Sequence, residues 1–363
     1  MTHLDIAYQR LHNQFIIQQS FEKASDVVRW LGAVQAQDYA AAKWALGLRM
    51  QNSTDEIIER AFAEGTILRT HVMRPTWHFV SPADIRWMLA LTAPRVNAAN
   101  ASWYRRLELD DALFMRSNAV LAEALQGGKQ LTRAELVSVL QRAGIATDDL
   151  LRFTYIMIRA ELDGIVCSGA RRGKQFTYAL LDERAPQART LDRDEALAEL
   201  AGRYFTSHGP ATLQDFVWWS GLTVADARTG LEMVTSRLMH EVVDGQEYWF
   251  STSASPAKEL SQTVYLLPNF DEYVVGYTDR SAIFDASHTH KLDSRGNVLF
   301  QHTIVLDSQV VGTWKRTLKK DAVILSPSLF TPLTKDETRA LAASAKRYSE
   351  FLDLSVQVNF NLP

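Results

Sequence analysis

The chain is poor in the features that announce most enzyme classes. It has a single cysteine, Cys167, so an intrachain disulfide is excluded and a reducing compartment is expected. No apolar run approaches the roughly 20 residues that span a bilayer. Residues 1–30 mix charge with apolar side chains at helical spacing, unlike a secretory signal. A cytoplasmic, nucleoid-associated protein is expected. The P-loop, the GxGxxG dinucleotide fingerprint and the GxSxG nucleophile elbow are all missing. HExxH and CxxC are missing too, and the His288-Thr289-His290 pair, read as part of a strand, belongs to no pattern that completes a metal site. Neither metal nor cofactor is expected. Nor is there a strong positive balance: the net charge is −3, which by itself argues against a nucleic-acid binder.

What is present is apolar bulk and repetition. With 47% hydrophobic and 22% charged residues over 363 positions, the chain has the makings of two to four packed units. Its charge is uneven, since residues 1–190 hold 23 Lys and Arg against 20 Asp and Glu, and the remainder 16 against 22. A local positive groove on an acidic body fits that asymmetry. Residues 131–144 read as an amphipathic helix with Leu131, Leu136, Val139 and Leu140 apolar and Thr132 as N-cap. A helix over 148–163 follows and closes at Gly164, and then two β-rich runs flank Gly169–Gly173. Helix, helix and hairpin is the order of a winged helix. It recurs upstream, with a helix over 54–64, Gly65 and TILRTHVMRPTWHFVS, and downstream, with a helix over 223–240 and a hairpin turning at Asp244-Gly245. The fold class read from this is α+β: three tandem winged-helix modules at 1–105, 106–190 and 191–260, then a β-rich α+β unit at 261–363 ending in a helix over 335–352.

Four segments are candidates for function. The helix before Gln35-Ala36-Gln37-Asp38 presents Val27, Val28, Leu31 and Val34 at core spacing, and Asp38 is placed to cap the next helix. A break there lets both glutamines turn toward one cleft; the plainer reading is solvated or capping amides. In the first hairpin, alternation places Arg69 with His71 and Thr76 with His78. Arg69 and Arg74 suit phosphate and Trp77 suits a base, or the same residues make a solvated hairpin with a core tryptophan. Arg171, Arg172 and Lys174 sit in a glycine-flanked turn apt for a phosphate backbone, or merely exposed. Residues 279–297 are long and polar for a simple turn, and His288, His290 and Arg295 would let them enter a DNA groove.

Taken together, Gln35-Ala36-Gln37 after a helix, RTHVMRPTWHFV, LLPNFDEYVVGYTDR and VVGTWKR resemble the winged-helix DNA glycosylases typified by AlkZ and YcaQ, from about residue 8 to 355. The resemblance implies a C-shaped channel for duplex DNA and assigns catalysis to Gln35 and Gln37. Glutamine rather than aspartate at position 37 places the chain nearer the AlkZ-like branch, while Ser308 stands where that pattern expects a hairpin glycine. Chemistry agrees with two amides. A purine alkylated at N7 or N3 is already cationic and leaves without a general acid, while a glutamine carbonyl can steady the sugar cation and orient water. The expected activity is excision of N-alkylated purines, cross-linked ones included, from duplex DNA by a monomer. Two other readings remain: a non-catalytic winged-helix regulator, and a protein-interaction scaffold whose wings bind a peptide.

Overall fold

Local capping chemistry sets most of the helix ends. The computed structural model describes residues 1–147, 149–251, 263–292 and 297–359. The Thr54 hydroxyl accepts from the Ile57 N–H to start Asp55–Glu64, and Gly65 closes that helix at φ 80°. Thr132 and Glu135 form a capping box on Arg133–Arg142. Asp149 caps Leu150–Leu162, and Gly164 follows at φ 70°. Three antiparallel hairpins come after helices: Leu68–Val72 with Arg74–Val80, Val166–Ser168 with Thr177–Leu180, and Leu238–Val243 with Gln246–Ser251. The last turns through Asp244 at φ 50° and Gly245 at φ 78°, the left-handed pair of a two-residue hairpin loop.

Elsewhere strand pairing overrides helical periodicity. The helix expected over 223–240 is Val224–Val234 with a 3-10 turn at Thr235–Arg237, because Leu238, Met239 and His240 pair with Ser251, Phe250 and Trp249. The helix expected to carry Val34 stops at Leu31, where Gly32 adopts φ 81°. Ala33–Gln35 then extends as a third strand, antiparallel to Arg74–Val80. Leu131 likewise leaves its expected helix for a short strand beside Thr177–Leu180.

In the C-terminal unit, five strands are ordered Ser355–Val358, Ala322–Leu329, Gln309–Leu318, His302–Leu306 and Val264–Leu267, with only the first pair parallel. Helix Lys335–Leu352 packs against this sheet. Asp307 and Ser308 turn one hairpin at φ 47° and 64°, so serine takes the left-handed position expected of glycine. Its carbonyl accepts from the Tyr273 hydroxyl at 2.7 Å, which helps hold the strained turn.

The hydrophobic cores cut across the sequence units. One joins Val27, Val34, Trp44 and Phe79 to Leu266, Ile304, Trp314 and Tyr348, so the C-terminal unit and the N-terminal segment share an interior. A second joins Met73 and Trp87 to Leu200, Phe205 and Trp219. The third, around Phe114, Leu136 and Phe153, belongs to the middle of the chain.

One buried ion pair locks the first interface. Arg49 meets both Asp271 oxygens, at 2.8 and 2.9 Å, and spends its remaining donors on Gln14 and the Ala45 carbonyl. Removing one partner strands the other charge out of water, which costs about 3–5 kcal/mol. Arg49→Met should therefore lower the urea midpoint sharply, and Arg49→Met with Asp271→Leu should recover part of the loss. A double variant no better than the single one would show that the pair is not a coupled unit.

Candidate active site

The strand Ala33–Gln35 ends at the first glutamine, still buried, and the chain reaches solvent at Gln37. Its register sets Gln35 opposite His78, and His78 opposite Thr70 on the far strand. The backbone of the Gln-Ala-Gln segment is held at three points. The Gln35 N–H donates to Glu272 Oε1 at 3.0 Å, the Ala36 N–H to the Trp77 carbonyl at 2.7 Å, and the Ala36 carbonyl accepts from Arg69 Nε at 3.0 Å. Asp38 then caps Tyr39–Gly47, accepting from the Ala41 N–H at 3.0 Å. The expected break is present, made by a strand rather than a kinked helix.

The two amides differ in setting. Gln35 is only 7% exposed, and its Oε1 accepts from Arg74 Nη2 at 2.9 Å. Gln37 is exposed. Arg74 Nη2 also lies 3.3 Å from His78 Nε2, while His78 Nδ1 lies 3.0 Å from the Thr76 carbonyl. That pattern places the imidazole proton on Nδ1 and leaves Nε2 to accept from Arg74. Below them, the buried Glu272 takes the Trp219 indole N–H at 2.9 Å and His208 Nε2 at 3.3 Å on Oε2. Burial alone would raise the Glu272 carboxyl. The His208 hydrogen bond, the Gln35 N–H and the Arg74 charge outweigh it and hold the group below its ordinary value. Its negative charge offsets that of Arg74.

The residues of the first hairpin expected at DNA divide: Arg69, His71 and His78 are buried as framework, a correction to their reading as DNA contacts, whereas Arg74, Thr76 and Trp77 are not buried. Arg69 is buried against the Trp77 and Phe176 rings, at 4.2 and 4.7 Å. His71 is buried on Glu161, with Nδ1 2.5 Å from Oε2, and Trp77 packs on His71 and reaches the other Glu161 oxygen. His78 has no exposed surface. Arg74, Thr76 and Trp77 keep partial exposure. The hairpin's tip abuts Gly221, where an added Cβ would fall 2.3 Å from the Met73 carbonyl.

The other expected contacts also separate by setting. Arg171 is drawn onto Glu59 at 3.2 Å and over the Tyr39 ring, and Arg172 onto Glu135 at 2.8 Å. Among the described residues Lys174 makes no ion pair and is exposed. His288 and His290 lie in the 3-10 helix Ala286–Lys291, not on a strand; His288 packs on Phe330 and His290 Nδ1 lies 2.8 Å from the Ser287 carbonyl. Arg295 falls outside the described residues. Among those described, no cluster of three or more His, Cys, Asp or Glu is arranged for a metal ion, and no helix is long and apolar enough to cross a membrane.

A profile of the family described as DNA glycosylase AlkZ-like matches residues 28–351. The chain belongs to the AlkZ-like DNA glycosylases. It is 28% identical over 323 residues to the interstrand DNA cross-link repair glycosylase of Streptomyces sahachiroi, covering 84% of this chain and 85% of that protein. The solved structure of Streptomyces sahachiroi DNA glycosylase AlkZ aligns with a TM-score of 0.80 at 22% identity, over 99% of this chain and 100% of the other, and so shares the fold. As an AlkZ-like DNA glycosylase, the protein hydrolyses N-glycosyl bonds in damaged DNA. Glu272, His208 and Trp219 stand outside the four candidate segments of the sequence. The first stands in the NFDEY segment that carried part of the resemblance, but nothing in its spacing shows that it is buried under Gln35.

Burial and Arg74 push the His78 imidazole of the site down to about 3, and in the C-terminal sheet burial with the Arg316 charge pushes His302 down to about 4, from an ordinary 6.5. The unfolded chain takes up these protons near pH 6.5 and the folded chain does not. Their contribution is therefore fully present above that pH and is lost as pH falls toward 4. Thermal melts should show Tm declining below pH 6.5, with a shallower decline in His302→Gln. A wild-type Tm that stays level over that range refutes the assignment.

Proposed function

We propose that this AlkZ-like enzyme is a monofunctional glycosylase that releases N-alkylated, cationic purines from duplex DNA, including bases joined in a cross-link. The named activity of the Streptomyces relative on interstrand cross-links supports the wider substrate range. On this reading the three helix-and-hairpin units are winged helices, bounded near residues 105, 190 and 260, that line a C-shaped channel beside the C-terminal unit. The protein works as a monomer on chromosomal DNA in the cytoplasm.

The observation that carries the reading is the Gln35-Ala36-Gln37 segment, its backbone held by Glu272, Trp77 and Arg69 while the Gln37 amide faces solvent. In the reaction the C1′–N bond breaks and its electron pair neutralises the cationic purine. The carbonyl oxygen of Gln37 steadies the sugar cation, water adds to C1′, and its proton passes to solvent. Gln35, fixed by Arg74, completes the polar wall. No group need protonate the leaving base, which suits a site of amides and would serve an undamaged base poorly.

Single-turnover release of N7-methylguanine from a duplex tests the assignment. Gln37→Ala should slow release by about 10²-fold or more while changing stability by no more than about 0.5 kcal/mol. Gln35→Ala should also slow it, and should destabilise the fold by about 1–3 kcal/mol because Arg74 loses a buried acceptor. Wild-type rates in both variants, or a wild type that releases no alkylated base, would return the protein to a non-catalytic DNA binder.

The cationic turn of the second hairpin gives a separate test. Among the described residues Lys174 alone of its three cations makes no ion pair, so Lys174→Glu should lower the salt slope of DNA binding by about one unit. Arg171→Glu and Arg172→Glu should act mainly on stability, through Glu59 and Glu135. An unchanged slope in Lys174→Glu removes this turn from the interface.

A further inference from the structure

Two adjacent tryptophans end the helix Leu213–Ser220 and face opposite ways. Trp219 is fully buried on Glu272, whereas Trp218 leaves 40% of its surface in solvent. An exposed indole of that size is ordinarily free to rotate, but this one is not. Its N–H donates to the Val275 carbonyl at 2.9 Å, which fixes the ring. Its carbonyl lies 3.5 Å from Arg74 Nη1, and the other terminal nitrogen of the same guanidinium holds Gln35 Oε1. The Trp218 ring is thus one side chain away from the Gln-Ala-Gln segment.

Two cations stand near the ring. The Arg74 and Arg280 guanidinium carbons lie 5.9 and 5.6 Å from its centroid, at the outer limit of cation–π contact, so neither covers it closely. Arg280 is oriented by the Val274 and Thr278 carbonyls, and its Nη2 has no partner among the described residues. A pre-set aromatic plane flanked by guanidinium groups is the equipment that single-stranded and unstacked bases are held by. The sign of the charge selects which base. A cationic alkylpurine would be repelled by both arginines, whereas a neutral base stacks on the indole while its phosphate is drawn to them.

We propose that Trp218 is a positioning residue that stacks on the undamaged nucleobase flanking the lesion, with Arg74 and Arg280 beside the adjoining phosphate. The stack sets the register of the strand, so that the damaged nucleotide's C1′ comes to Gln37 rather than to a neighbouring position. The inference rests on the glycosylase reading of Gln35 and Gln37 for its purpose, but the stacking itself does not require the enzyme to turn over.

The test uses the full chain and a duplex in which 2-aminopurine flanks a tetrahydrofuran abasic analogue. Binding should quench the 2-aminopurine fluorescence. Trp218→Ala should lose the quench and bind this duplex about tenfold more weakly, while Trp218→Phe, which keeps a ring face, should restore most of both. Thermal melts accompany the titrations, and Trp218→Leu replaces the alanine variant if that fails to fold. Wild-type quench and affinity in the ring-less variant overturn the proposal, and so does a wild type that binds without quenching. A wild type that quenches through Trp218 yet releases no alkylated base upholds the stacking and overturns the catalytic reading instead.

Discussion

A carboxylate taken out of water costs several kcal/mol unless donors meet its oxygens. Glu272 is met from three parts of the chain: the Gln35 N–H, the His208 imidazole and the Trp219 indole. The donors come from residues more than 50 positions away in sequence, so the carboxylate is satisfied only when the N-terminal strand, the helix Leu213–Ser220 and the C-terminal unit have docked. Docking and site geometry are therefore one event. An error in the assembly leaves Glu272 short of a donor, and the same error displaces Gln35.

That constraint explains why the first hairpin serves in part as framework. Its two faces carry different loads. Arg69, His71 and Trp77 turn toward the middle of the chain, where Glu161 and Phe176 receive them, and Arg74 and His78 turn toward Gln35. A hairpin gripped on both faces holds a neighbouring strand to within small displacements, and of the residues expected at DNA it leaves only Arg74, Thr76 and Trp77 partly exposed. Such pre-organisation has a use in catalysis, because polar groups already in place need not reorganise as charge develops.

The legibility of the sequence divides along the range of the interactions. Gly65, Gly164, Thr132 with Glu135, and Asp244-Gly245 act within four residues of themselves, and the elements they bound were readable. Ala33–Gln35 was not, since three residues after a helix continue its apolar spacing as well as they begin a strand, and only the hairpin edge decides. The cationic clusters were legible as charge but not as availability. Arg171 is claimed by Glu59 and the His71 ring by Glu161, each from about 90 to 112 residues away. The Gln-Ala-Gln motif itself was recognised through its neighbours, and spacing alone would have left it as two solvated amides. Trp218 and Trp219 are identical in sequence character, and only the docked carboxylate tells the buried one from the exposed one.

Shifted titrating groups often mark the chemistry of a site, and here they mark its foundations. Glu272 and His78 depart from ordinary behaviour because of their buried partners and a shared arginine, yet both are tied to the buried Gln35 and not to the exposed Gln37. On the proposed reading this inversion follows from the substrate. An alkylated purine brings its own leaving-group activation as a positive charge, so the enzyme has no need of a group that titrates near neutrality. What it must avoid is an uncompensated cation close to the developing sugar cation. Arg74 would be one, at hydrogen-bonding distance from Gln35, were Glu272 not beneath it. The buried carboxylate thus does two things at once: it assembles the fold around the amides and, on the proposed reading, partly offsets the arginine charge beside Gln35.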